Sequence, residues 1–214
     1  QDSKLRNVVK ILNPLGQEMS IMRTTLIPSM LEVISRNYSR KTESGQFFEM
    51  GRVYWPIDKP DAKLPEEKNM LCIGMYGEYD FFDLKGALEL LFKSLGINKY
   101  EFVRETENNT FHSGRTANIF IKKKKVGIIG EIHPDILETF DIPVTYVCEL
   151  DFDEIIANSQ LTRKFKQLPK YPAVERDMAF LVPDEIMVSQ IEDIIKQKAG
   201  NLIESINLFD VYKG

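Results

Sequence analysis

NPLGQEMSIMRTTLIPSML (residues 13–31), followed at residues 47–55 by FFEMGRVYW, is the stretch that decides the fold of this chain. Asn13-Pro14-Leu15-Gly16 is a turn by composition, because proline and glycine punctuate regular structure. It closes a short apolar strand at residues 8–12. A helix then begins. Thr25 offers an N-cap hydroxyl, and Pro28 falls in the first turn, where a missing N–H is tolerated. Leu26, Met30, Leu31, Ile34 and Tyr38 recur at helical spacing and predict a buried stripe. Residues 39–46 are polar and turn-rich. Residues 47–55 read as a strand with two faces, and Arg52, an odd number of residues from Trp55, belongs on the opposite face.

Beyond this stretch, residues 57–68 are charged and proline-containing and read as a surface loop before a strand at 70–76. Residues 80–95 form the best helix in the chain. Asp80 caps it, Leu84, Leu88, Leu91, Phe92 and Leu95 line one side, and Gly96 ends it as a left-handed residue. Strands follow at 100–104, 116–121 and 126–132, the last two joined across Lys122–Lys125 as a hairpin. A short helix at 134–140 and a strand at 146–150 complete the first unit. Hairpin-connected strands with a few interleaved helices predict an α+β fold with a mainly antiparallel sheet.

Residues 161–172, LTRKFKQLPKYP, are basic and proline-punctuated and read as a linker. They separate a domain at 1–160 from a unit at 173–214. There, strands at 177–182 and 202–212 flank a helix with Ser189 and Glu192 at capping-box spacing and Gly200 at its end. A strand–helix–strand of about forty residues cannot bury its apolar face alone. It is therefore expected to be a truncated half-domain whose strands lie on unpaired edges. A first residue that is Gln1 rather than methionine is likewise expected of an internal cut.

Composition narrows the class. The 214 residues are 43% hydrophobic and 28% charged, an ordinary globular mixture. The formal net charge of −4 makes any RNA contact local rather than spread over the surface. No apolar run approaches the ~20 residues that span a bilayer, and no signal peptide opens the chain. Cys72 and Cys148 sit in apolar runs, as buried thiols of a reducing compartment do. A cytoplasmic protein is expected.

Few constellations carry chemistry. His112 and His133 lack a carboxylate or cysteine at metal-ligand spacing. Asp151, Asp153 and Glu154 resemble a magnesium-type cluster but equally suit a helix N-terminus. Lys122–Lys125 either contact a phosphate backbone or form a solvated turn. Gly127 and Gly130 lack the following helix that a phosphate cradle requires.

Residues 13–31 and 47–55 resemble the motif 1 and motif 2 regions of the phenylalanyl-tRNA synthetase beta-subunit family, in which a partner chain carries a copy of the class II catalytic fold. Residues 80–92 (DFFDLKGALELLF), 111–121 (FHSGRTANIFI) and 126–134 (VGIIGEIHP) fit the same family, with Ser113 where proline is frequent. Residues 171–183 and 208–214 resemble the opening of its ferredoxin-like anticodon-binding domain. The resemblance covers most of the chain. It implies a class II synthetase-like antiparallel sheet with flanking helices, followed by a truncated ferredoxin-like strand–helix–strand.

It also implies a division of labour. The catalytic relatives carry an ATP-binding arginine where this chain has Trp55, and a tryptophan cannot stabilise phosphate charge. The counterpart of motif 3 at residues 148–155 lacks its glycines and arginine, and its carboxylates would repel a triphosphate. The chain alone is expected to be inactive and to need no cofactor or metal, although the complete ligase uses ATP and magnesium. The resemblance places Pro14, Met22, Arg23, Thr24 and Leu26 at or near a contact with the catalytic alpha subunit, with Arg23 pairing a carboxylate or capping a helix. The alternative is that these residues build the chain's own core. Two alpha and two beta chains, including a second beta subunit, and tRNA(Phe) are the implied partners, with no membrane. Tyr171, Arg176 and Asp177 open the unit that resembles the anticodon binder, where an arginine–aromatic pair would grip RNA or Arg176 and Asp177 would form a local ion pair. The rival readings are a self-sufficient adenylating ligase and an unrelated α+β interaction module.

Overall fold

A computed structural model of the chain describes residues 3–57, 64–162, 172–183 and 185–212. It divides into two compact units, Gln1–Arg163 and Lys164–Gly214. The first is α+β. After a single helical turn, α1 (Ser3–Arg6), come α2 (Ile27–Ser39), β1 (Gly45–Trp55), β2 (Glu66–Tyr76), α3 (Phe81–Ser94), β3 (Tyr100–Arg104), β4 (Phe111–Ile121), β5 (Lys124–Ile132), α4 (Pro134–Phe140), β6 (Thr145–Asp151) and α5 (Phe152–Ala157). The six strands form one sheet in the order β1-β2-β6-β5-β4-β3, and every pairing is antiparallel.

Helices cover both faces. On one, α2 and α4 lie over Val53, Met70, Cys72, Tyr76, Ile128, Ile132 and Val147. On the other, Leu84, Leu88 and Phe92 of α3 and Ile155 of α5 meet Leu71, Met75, Ile129, Cys148 and Leu150. Neighbouring residues such as Val147 and Cys148 are both fully buried because alternate side chains enter different cores. β6, the last strand in sequence, lies near the middle of the sheet.

Local chemistry sets the boundaries. Asp80 caps α3 by accepting from Phe82 and Asp83 N–H, and the Asp83 carboxylate accepts from Asp80 N–H in return. Gly96 follows at φ +71°, the left-handed residue expected after the helix. Lys122 and Lys123 both have positive φ, as the two central residues of a tight hairpin turn require. Inside α3, Gly86 is exposed and a Cβ there would meet nothing within 4 Å. Gly86→Ala should therefore stabilise the fold by about 0.5–1 kcal/mol, read as a higher urea midpoint.

Several expectations are corrected. Residues 8–12 form no strand and contribute an isolated bridge, Lys10 to Ile21. The N-cap position of α2 is Leu26, one residue past Thr25; the Thr25 hydroxyl still accepts from Ile27 N–H at 3.2 Å, and a carboxylate from another strand takes Leu26 N–H. β4 begins at Phe111 rather than at residue 116. Its first half is polar and interrupted by a register shift, which hides the strand period.

In the second unit, α6 (Val188–Ala199) is followed by a 3-10 turn at Gly200–Leu202. Its N-cap is Met187, and Gln190 rather than Glu192 returns to the cap N–H at 2.9 Å. Glu192 instead pairs with Lys196 at 2.9 Å, four residues on. No strand is formed among the described residues of this unit, so the predicted strands at 177–182 and 202–212 are absent as paired elements. Met178, Phe180, Leu208, Phe209 and Val211 are exposed.

Candidate functional site

Chemistry-bearing side chains of the first unit gather where the segment before α2 meets β1 and β6. Arg23 lies flat on β1. Its Nη1 pairs with Glu49 Oε1 at 2.6 Å, its Nε donates to the Arg52 carbonyl at 2.9 Å, and its own carbonyl accepts from Tyr54 N–H at 2.9 Å. Gly51 makes room for this, since a Cβ there would collide with the guanidinium. Arg23 thus pairs a carboxylate, and that carboxylate belongs to this chain.

Behind it lies a group not expected from the sequence. Glu149, on β6, accepts from Leu26 N–H at 2.6 Å and from the Thr25 hydroxyl at 2.8 Å. It caps α2 across the fold, meeting the Leu26 N–H that the helix cannot pair internally. Burial raises the Glu149 carboxyl above its ordinary range, against the opposing pull of those two hydrogen bonds and of Arg23. An acid inside the apolar run TYVCEL was the available signal, because buried charges are found paired.

Trp55 projects from the end of β1 on the same side as Val53 and packs against the core under α2. Its indole N–H is buried and meets no acceptor among the described residues. Lys68 Nζ stands 5.4 Å from the ring centre and pairs with Asp151 at 3.1 Å. Arg52 occupies the opposite face and pairs with Glu67 at 2.9 Å. The place in question therefore holds an aromatic plug and a neutralised lysine rather than a free cation.

The acidic run after Cys148 is similarly engaged. Asp151 caps α5 by accepting from Glu154 N–H. Asp153 accepts from the Asn69 side chain at 2.8 Å and backbone at 3.1 Å, which lowers its pKa. Glu154 pairs with Lys124. His133 accepts from Asp135 N–H at the start of α4, and His112 accepts from Gly114 N–H. Cys72 and Cys148 are buried free thiols raised by desolvation.

The five residues read from the first motif separate by depth. Pro14 is exposed, Met22 half-buried and Arg23 partly exposed, whereas Thr24 and Leu26 are buried in this chain. Thr24 spends its hydroxyl on the Leu5 carbonyl at 2.8 Å. Ile11, Met19, Ile21, Met22, Arg23, Arg52 and Tyr54 line an open depression of about 470 Å³. Around it Leu12 and Leu15 are almost wholly exposed, at 96% and 98%. In the second unit Arg176 and Asp177 are exposed, while Tyr171 lies outside the described residues.

Comparison with known proteins adds the following. The family model described as "Phenylalanyl tRNA synthetase beta chain CLM domain" matches residues 1–152, and "Ferredoxin-fold anticodon binding domain" matches residues 169–214. Phenylalanine–tRNA ligase beta subunits of Clostridium acetobutylicum and Clostridium tetani are 50% and 51% identical over 100% of this chain and 27% of their own length. That of Bacillus subtilis is 34% identical over 94% of the chain and 26% of its own length. The chain thus spans about a quarter of these curated relatives. Two solved pyrrolysyl-tRNA synthetase structures from Desulfitobacterium hafniense superpose with TM-scores of 0.55 and 0.56 at 16% and 15% identity. They cover 70% and 71% of this chain and 52% and 53% of theirs, a likeness of fold alone.

Proposed function

The chain belongs to the phenylalanyl-tRNA synthetase beta chain family, and from that premise we propose that it is a non-catalytic scaffold segment of phenylalanine–tRNA ligase. It packs against the catalytic alpha subunit within an assembly of two alpha and two beta chains and supports tRNA(Phe) binding and aminoacylation. The observation that carries this reading is Trp55. It is packed into the core under α2, at the position where the resemblance calls for a cation that grips ATP. Adenylate formation needs positive groups aimed at developing phosphate charge. Lys68, beside Trp55, is already paired with Asp151. ATP and magnesium belong to the complete cytoplasmic ligase in this reading.

The docking surface is the segment that rises from the turn at Pro14 to Arg23. Exposed Leu12, Leu15 and Met19 with the depression beside Met22 supply apolar area of the kind that marks an interaction site. Thr24 and Leu26 support that surface from inside. The second unit, with Arg176 and Asp177 exposed, is the candidate tRNA-binding part, together with Tyr171.

Two measurements test the reading. Phenylalanine-dependent ATP–pyrophosphate exchange by this chain alone should be at background, and a clear signal would replace the scaffold reading with the adenylating-ligase one. Mixing with a bacterial catalytic alpha chain should raise the mass measured by light scattering. Absence of any complex at micromolar concentration would favour an unrelated interaction module. Met22→Glu should weaken that complex at least tenfold without changing the melting temperature, because Met22 borders the depression rather than filling the core.

A further inference from the structure

Three side chains stand in one row across the sheet, on the face beneath α2. Glu49 of β1 opposes Cys72 of β2, and Cys72 opposes Glu149 of β6. Strand spacing sets the two glutamates roughly 10 Å apart at Cα, with only a thiol between them. Ile128 of β5 continues the row without a charge. Two residues along β6, Asp151 shares the face and is neutralised by Lys68 at 3.1 Å. Above the row, α2 and α4 offer the apolar Leu26, Ile27, Met30 and Leu137. Across the sheet, α3 and α5 present Leu84, Leu88 and Ile155 to Cys148. Burial holds Cys72 and Cys148 as thiols, so neither adds charge. The row therefore carries two carboxylates, and Arg23 is the cation that acts on both.

Arg23 is divided unevenly between them. Its Nη1 pairs with Glu49 at 2.6 Å and its Nε donates to the Arg52 carbonyl, whereas Glu149 receives only a longer-range attraction. Glu149 Oε1 instead accepts both Leu26 N–H at 2.6 Å and the Thr25 hydroxyl at 2.8 Å. That hydroxyl accepts in turn from Ile27 N–H at 3.2 Å. The polar attachment of residues 25–27 to β6 thus converges on one oxygen.

We propose that Glu149 is a proton-linked latch on the start of α2, and that Glu49 tunes it by keeping Arg23 to itself. Residues 25–27 lift from β6 locally, while the sheet stays folded. Lifting wets the Glu149 carboxyl and returns it to ordinary acidity, whereas seating desolvates it and favours its protonated form. The seated state therefore binds the proton more firmly, and acid favours seating. The latch is tightest below the ordinary 4.5 and loosens as pH rises through the seated value. Glu49 does not touch the first turn of α2. Removing its charge turns the full attraction of the guanidinium toward Glu149, which then ionises in place and stops responding to pH.

Amide hydrogen exchange of the 214-residue chain, followed by NMR from pH 5 to pH 8, supplies the test. Protection is taken relative to the intrinsic rate at each pH, so base catalysis cancels. Leu26 and Ile27 should be less protected than Leu88 of α3, which marks global unfolding. Their protection should fall at least about threefold as pH rises. Glu149→Gln keeps an acceptor and loses the proton, so Leu26 should stay protected with a flat profile. Glu49→Gln should flatten the profile too, although Glu149 is intact. Leu26 protection equal to that of Leu88, a flat profile in the parent, or a slope that survives either substitution would each overturn the proposal. No alpha chain enters the measurement, so its outcome is separate from that of the scaffold reading.

Discussion

Gly127→Ala should cost about 3 kcal/mol or more, a large effect for so small a change. Gly127 lies on β5 opposite Leu150 of β6. A Cβ at this position would collide with the Glu149 carbonyl oxygen and press on Leu150 Cδ2. The obstructing atom is backbone in the middle of a sheet, so relief requires the strands themselves to part. Gly130, three residues on, provides the contrast. Its added Cβ would meet Thr116 Oγ1 at 2.7 Å and Phe111 Cδ1 at 2.9 Å, both side-chain atoms, and its backbone contact, the Arg115 carbonyl oxygen at 3.0 Å, is looser than the one at Gly127. Gly130→Ala should therefore lose less. Urea unfolding of both variants decides the point, and equal midpoints would contradict it.

Glu149 gives the second large effect, and its sign depends on the replacement. Glu149→Ala leaves the buried Leu26 N–H and the half-buried Thr25 hydroxyl without an acceptor, at a cost of roughly 2–4 kcal/mol. The corresponding fall in melting temperature is roughly 5 to 15 °C for a domain of this size. Glu149→Gln keeps an acceptor oxygen and drops the buried charge, so at neutral pH it should match or exceed the parent. The pH dependence follows from the raised carboxyl. The folded chain holds that proton above the ordinary 4.5, where the unfolded chain has released it. Stability from this group is then greatest below 4.5 and falls as pH rises through the folded value. Glu149→Gln lacks this slope, so its advantage over the parent should grow across that interval. Melting temperatures of the two proteins from pH 4 upward read the difference directly, and parallel curves would show that the carboxyl is not perturbed.

Much of the fold was legible because its local signals agree. The Asp80 cap, the Leu84 to Phe92 stripe and Gly96 delimit α3 almost to the residue, and alternation along residues 47–55 placed Arg52 opposite Trp55. What failed was non-local. Thr25 has the chemistry of an N-cap and its hydroxyl does take Ile27 N–H, but the cap position is Leu26, whose N–H goes to Glu149, more than a hundred residues later. Residues 8–12 have strand propensity but pair only with the short segment 20–22, and propensity without a longer neighbour makes no sheet. The same reasoning covers residues 177–182. Of the candidate site, Arg23 was expected to pair a carboxylate or cap a helix end, and within this chain it pairs with Glu49. Glu49, Lys68 and Glu149 were missed because each draws its meaning from an adjacent strand.

The position of β6 bears on how the chain assembles in time. β2 and β5 cannot share a sheet until residues 145–151 arrive between them, and α2 cannot be fully capped until Glu149 is in place. The Thr25 to Glu149 bond closes 124 residues of chain. Contacts of such separation slow folding, because loop closure precedes any gain from the contact. During synthesis, everything from α2 to α4 would wait with two interior strands each unpaired along one side. The order of strands thus makes the seven residues of β6 a late, all-or-none step that commits the whole sheet.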